Sequence, residues 1–100
     1  MLIKLENNYY MNIYNSSNFP YDYNCDSVCG FDLFDDNHLY EDGGEFEYSS
    51  HEIKNDDDLI KALVKWYFNN KSLSYNFIAN TDDCSYEDFE ELLEENNIKL

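Results

Sequence analysis

Apolar and polar residues alternate with a period near two over the first half of the chain, and the period changes to about 3.6 after residue 55. Residues 2–6 and 9–14 are two short runs rich in apolar and aromatic side chains, separated by Asn7 and Asn8. Asparagine tolerates positive φ, so this spacing predicts a tight β-hairpin, with Ile3 and Leu5 on one side of its first strand and Lys4 and Glu6 on the other. Residues 15–27 are rich in Tyr, Asn and Ser and hold the single proline, Pro20, which predicts a surface loop. Further strands are expected at 31–34, 39–40 and 45–53. Their interruptions, Asp35-Asp36-Asn37 and Glu41-Asp42-Gly43-Gly44, consist of turn-forming residues.

Asn55-Asp56-Asp57-Asp58 offers a helix cap and puts negative charge at the positive end of the helix dipole. Leu59, Ile60, Leu63, Val64, Tyr67 and Phe68 then recur at helical spacing, predicting a helix that runs to Lys71. Trp66 lies just off that apolar stripe, where it edges the core or meets a partner. A strand over 73–79 follows. A second helix is expected to begin at Asp82-Asp83-Cys84-Ser85, turn Tyr86, Phe89, Leu92 and Leu93 inward, and end near Asn96-Asn97. The resulting architecture is α+β, one small domain over residues 1–100, with an antiparallel β-sheet and two α-helices packed on one face.

Charge changes this picture from a fold to a class of partner. The chain has 22 Asp and Glu against six Lys and no Arg, for a net charge of −16 over 100 residues. Residues 1–20 are neutral, 21–58 carry −12, 59–81 carry +3 and 82–100 carry −7. Direct nucleic-acid binding requires cations to neutralise phosphates, and an anionic membrane repels such a chain, so neither is expected. The expected partner is a basic protein. Glu45 and Glu47 alternate with Phe46 and Tyr48, which puts the two carboxylates roughly 7 Å apart along one strand face. Glu87, Glu91, Glu94 and Glu95 share the polar side of the last helix, with i,i+4 neighbours about 6 Å apart. Rows at this repeat imitate a phosphate backbone. A solvated acidic face is the plainer role for any single helix of this kind. The residues expected to meet a partner are Glu45, Glu47, Asp56, Asp57, Asp58, Glu87, Glu91, Glu94 and Glu95, then Asp35, Asp36 and Asp42.

Catalytic and cofactor signatures are missing from the sequence. No EF-hand register fits Gly43 or Gly44, because His38 or Leu39 then falls at the first ligand position. Chance calcium binding at Asp35-Asp36 or Glu41-Asp42 is a residual option. Cys25, Cys29, His38 and His51 supply four zinc-type ligands, but with looser spacing than a zinc knuckle. Cys84 has no catalytic motif around it, and the neighbouring acids disfavour a thiolate. With three glycines there is no phosphate-cradling loop. The expectation is a non-enzyme without a metal or other cofactor. Three cysteines, an odd count, and a start without a long apolar stretch predict reduced thiols and a cytoplasmic setting. Tyr9, Tyr10, Tyr14, Phe19, Tyr21 and Tyr23 are too many rings for one small sheet to bury completely; the plainer reading has most of them lining the core and sheet faces, and the alternative is an exposed Tyr-rich patch suited to an interface.

In size, charge, α+β outline and acidic rows such as Asp56-Asp57-Asp58 and residues 87–95, the chain resembles small acidic anti-defence proteins of phages and mobile elements. These include anti-CRISPR proteins and DNA-mimicking antirestriction proteins. The likeness is one of type across the whole chain and assigns no residue a role. It implies an inhibitor, acting in the cytoplasm of a host bacterium, that fills the nucleic-acid channel of a CRISPR effector or another nuclease. Immunity proteins and antitoxins directed at basic nucleases share the same physics and form the alternative, with a small metal-binding or scaffold module as a third class.

Overall fold

Asn8 sits at φ 68°, as the hairpin requires, and the turn closes through Leu5 N–H donating to Tyr9 O at 2.8 Å and Asn8 N–H donating to Leu5 O at 3.0 Å. The computed structural model describes residues 1–81 and 84–100. Strands β1 (Leu2–Leu5), β2 (Tyr10–Asn15), β3 (Ser27–Phe34) and β4 (Tyr40–Tyr48) lead into helix α1 (Asp56–Tyr67). Strand β5 (Tyr75–Ala79) and helix α2 (Phe89–Glu95) complete the chain. The five strands form one sheet in the order β4-β3-β2-β1-β5, with every neighbouring pair antiparallel.

Strand β4 corrects the expected turn at Glu41-Asp42-Gly43-Gly44. Those residues continue the strand, Gly43 opposite Asp32 and Gly44 opposite Phe31, so the two segments expected at 39–40 and 45–53 are one strand that stops at Tyr48. The glycines serve space rather than reversal. No described glycine has a positive φ, and a Cβ on Gly43 would run into the Tyr40 hydroxyl and crowd Asp32 Oδ1 and the Phe31 carbonyl oxygen, both at 3.2 Å. The true reversal is at Asp35–Leu39. The Asp35 carboxylate accepts from Asn37 N–H at 2.9 Å and Leu39 N–H at 3.0 Å, and His38 takes φ 66°.

Helix α1 begins where expected. The Asn55 side chain accepts from Asp58 N–H at 2.8 Å, and Asp56, Asp57 and Asp58 fill the first turn. It ends at Tyr67 rather than Lys71, because Asn69 and Asn70 both adopt left-handed φ. Helix α2 is shorter than expected. Its cap is Asp88, whose carboxylate accepts from Glu90 and Glu91 N–H, and Cys84, Ser85, Tyr86 and Glu87 precede it as irregular backbone. The Asp82 and Asp83 part of the expected start lies outside the described residues.

The two helices lie on opposite faces of the sheet, which corrects their expected placement on a single face. Ile3, Leu5, Met11, Ile13, Cys29, Phe31 and Leu33 pack with Leu59, Ile60, Leu63 and Val64 of α1. The alternate residues Leu2, Tyr10 and Phe34 pack with Tyr86, Phe89 and Leu92 around α2. A period of two sends successive side chains to opposite faces, and this sheet is apolar on both. Each face therefore needs its own cover, since a fully buried Leu or Phe contributes about 1.5–3 kcal/mol.

Candidate interaction surface

Among the described acids, burial separates one from the rest. Asp32 is 2% exposed at the centre of β3, on the α2 face. Its carboxylate accepts from Ser85 Oγ at 2.9 and 3.2 Å and from Tyr86 N–H at 2.7 Å. Burial raises its pKa, opposed by those hydrogen bonds. Directly across the β2–β3 ladder lies Asn12, also buried. Its side chain accepts from Thr81 Oγ1 at 2.7 Å and donates to Cys84 O at 3.1 Å. This polar pair ties the segment before α2 onto the sheet. Sequence reasoning missed it. The available signal was a polar residue at the same alternating position as Leu2, Tyr10 and Phe34, a face that the second apolar row requires to be covered.

The expected partner-binding acids divide by what they hold. Glu45 and Glu47 lie on the α2 face of edge strand β4 and secure the chain that returns over it. Glu45 accepts from Ser16 Oγ and, at 2.7 Å, from Asn18 Nδ2, and these bonds hold its carboxyl below the usual carboxylate range. Glu47 accepts from the backbone N–H groups of Tyr21 and Asp22. Asp26 completes the fastening by accepting from Ser50 N–H at 2.8 Å and Ser50 Oγ at 2.6 Å, which lowers its pKa to about 2. On the α1 face, Asp42 accepts from the Tyr67 hydroxyl at 3.0 Å, and burial together with this carboxylate pushes that phenol up to about 12. Asp57 accepts from the Tyr75 hydroxyl and pairs with Lys61 at 2.9 Å, the one ion pair between described residues. Asp35 serves the β3–β4 turn.

The other expected acids are exposed. Asp36 lies at the β3–β4 turn, and Asp56 and Asp58 are exposed at the start of α1. Phe89 and Leu92 turn inward, so Glu87, Glu90, Glu91 and Glu94 project from the other side of α2 or just before it, and all four are exposed. None of these four side chains accepts a hydrogen bond from a described residue. Glu95 differs, because it accepts from the Tyr86 hydroxyl at 2.7 Å. The structure thus brings Glu45, Glu47, Glu87, Glu91, Glu94 and Glu95 to the α2 side and leaves Asp42 on the α1 side, with Asp56, Asp57 and Asp58 at the N-terminus of α1.

The sequence's thiol and imidazole candidates do not converge. Cys29 packs in the α1-side core, where burial raises its thiol to about 11, while His38 stacks on Phe89 on the α2 side at a ring separation of 4.6 Å. Among the described residues no group of three or more His, Cys, Asp or Glu is arranged to hold a metal ion. Two of the chain's six lysines, Lys61 and Lys65, border a separate groove of about 760 Å³ between α1 and the start of β5, where they face Ser72, Ser74 and Tyr75.

The aromatic residues divide between core and surface. Tyr10 is buried, and Trp66 edges the α1-side core against Phe31 and Phe46. Phe19, Tyr21 and Tyr23 are fully exposed. No protein-family model matches the chain, and no curated protein or solved structure is similar enough to show a shared family. No helix among the described residues is long and apolar enough to cross a membrane.

Proposed function

We propose that the protein is a stoichiometric, non-enzymatic inhibitor of the anti-CRISPR kind, working in the cytoplasm of a host bacterium. Its carboxylates occupy the basic nucleic-acid channel of a nuclease complex. The observation that carries this reading is the exposed acidic row of Glu90, Glu91 and Glu94 on α2, with Glu87 just ahead of its cap, whose side chains meet no cation and no hydrogen-bond donor among the described residues. Like charges one turn apart destabilise a helix by tenths of a kcal/mol per pair, so a folded chain that keeps them holds unspent attraction for a basic surface. The short helix is held by its Asp88 cap and by Phe89 and Leu92 in the core, which fixes the spacing of Glu90, Glu91 and Glu94.

The test is competition. Guide-loaded CRISPR nucleases and isolated nuclease toxins are each mixed with the protein and with labelled substrate, and substrate binding is followed against salt. Displacement of substrate at a one-to-one ratio, weakening steeply with salt, supports the reading, and the enzyme displaced distinguishes an anti-CRISPR protein from an immunity protein. Undiminished substrate binding across both groups overturns it.

A further inference from the structure

The loop between β2 and β3 combines two properties that surface loops rarely have together. Phe19, Tyr21 and Tyr23 are exposed to 90%, 98% and 105% of their full area, which leaves three large rings in solvent within five residues. The backbone carrying them is nevertheless fastened, by Glu45 to Ser16 and Asn18, by Glu47 to Tyr21 and Asp22, and by Asp22 to Asn24 N–H at 2.9 Å. Exposed aromatic side chains on a pre-organised backbone lose little entropy on binding, which is the character of an interface hot spot.

Beside these rings runs a groove of about 600 Å³, lined by the apolar surfaces of Phe19, Pro20, Tyr21 and Val28 and by the Glu45 and Glu47 carboxylates. An apolar trough with two carboxylates suits a side chain with an aliphatic stem and a flat cationic head. Arginine has that shape. Its methylenes cover apolar surface, its guanidinium stacks on rings, and its fork of donors meets carboxylates. Each carboxylate oxygen pair has about four lone-pair sites, so the internal hydrogen bonds of Glu45 and Glu47 leave acceptors over. The one cation positioned over a ring among the described residues is Lys4 above Tyr10, at 5.7 Å, and none from the chain itself fills this groove.

We propose that this groove, with the Phe19 and Tyr21 rings that line it and Tyr23 two residues further on, recognises an arginine side chain of the basic partner. The inference rests on the proposed function for the partner's basic character but names a different surface from the α2 row. It is tested by fluorescence anisotropy with two labelled probes, a nine-residue arginine peptide and a nine-residue lysine peptide, at about 0.1 M salt, where long-range attraction is partly screened. The arginine peptide is expected to bind about tenfold more tightly, since arginine stacks on aromatic faces and lysine is a compact, strongly hydrated charge. The combined Phe19→Ser, Tyr21→Ser and Tyr23→Ser variant, whose side chains lie outside both cores, is expected to bring the ratio close to one while lysine-peptide affinity stays unchanged. Equal affinities in the native protein, a ratio that survives in the variant, or binding of neither peptide overturns the proposal. Glu87→Lys, Glu91→Lys and Glu94→Lys together separate it from the α2 reading. They are expected to weaken both peptides alike and to leave the ratio intact, and if they change nothing while the loop variant erases the ratio, the α2 row falls and the arginine groove stands.

Discussion

The Asp32 carboxylate accepts a hydrogen bond from the backbone N–H of Tyr86 at 2.7 Å, joining residues 54 positions apart in sequence at the centre of the α2-side face. This contact, with Ser85 Oγ beside it, gives the irregular chain ahead of α2 a partner for its buried amide. Replacing Asp32 with Ala leaves the Tyr86 N–H in the core without an acceptor, a loss of about 1–3 kcal/mol. Asp32→Asn keeps an acceptor oxygen and is expected to recover most of that. Urea midpoints of the three proteins measure the difference, and equal midpoints for Ala and wild type refute the role given to this contact.

Asp32 and Asp26 also respond to pH in opposite directions. Asp26 is held at about 2, mainly by the Ser50 hydrogen bonds, against an ordinary value of 3.8. Its contribution is therefore full above about pH 4 and is lost as pH falls from 3.8 towards 2. Burial raises Asp32, so its ionisation costs stability as pH climbs from 3.8 through its higher folded value. Asp26→Asn is expected to lower the urea midpoint at pH 7 and to converge with wild type near pH 2. Asp32→Asn is expected to flatten the loss of stability just above pH 3.8. A wild-type and Asp26→Asn difference that stays constant from pH 7 to pH 2 contradicts the assignment.

Much of this was legible in the chain, and the gaps have physical causes. The β1–β2 hairpin and α1 follow from signals that act over a few residues, namely asparagines that accept positive φ and an apolar period of 3.6 behind the Asn55 cap. Strand β4 was not legible, because Gly43-Gly44 is usual turn chemistry and only the side chains facing it explain its use in a strand. The placement of α2 depended on Leu2, Tyr10 and Phe34, whose meaning as a second apolar face appears once three strands are aligned. Among the candidate acids, composition marked them all equally. Which carboxylates are occupied is decided by donors distant in sequence, such as Tyr67 for Asp42 and Ser16 for Glu45.

Gly30 tests the same lesson about glycine in strands. The Tyr14 ring lies across it, in the volume that a Cβ at Gly30 would fill. Aromatic cover of a strand glycine restores packing that the missing side chain forfeits. Gly30→Ala must push the ring off β3, at a cost of about 1–3 kcal/mol for overpacking. The Tyr14→Ala, Gly30→Ala double variant removes the clash, so the second change is expected to cost much less in that background. A double-mutant cycle in urea measures this coupling, and additive losses refute it.

The two acidic rows should behave differently when their charges are reversed, and that difference is the sharpest check on what each row is for. Glu87, Glu91 and Glu94 are exposed and accept no hydrogen bond from a described residue, so their reversal to Lys is expected to leave the stability in urea within about 0.5 kcal/mol of wild type, as for ordinary surface positions. Binding to a basic partner should weaken, and its dependence on salt should become shallower, because fewer charges are neutralised on contact. Glu45→Lys with Glu47→Lys instead removes the acceptors for Ser16, Asn18, Tyr21 and Asp22. That variant is expected to release the loop, seen as faster amide exchange at Tyr21 and Asp22 and faster proteolysis between residues 16 and 26. Its binding loss therefore combines lost charge with a disordered aromatic loop, whereas the α2 variant reads charge alone. Unchanged amide exchange in the Glu45 and Glu47 variant contradicts the fastening role. Unchanged binding in the α2 variant removes the mimicry reading.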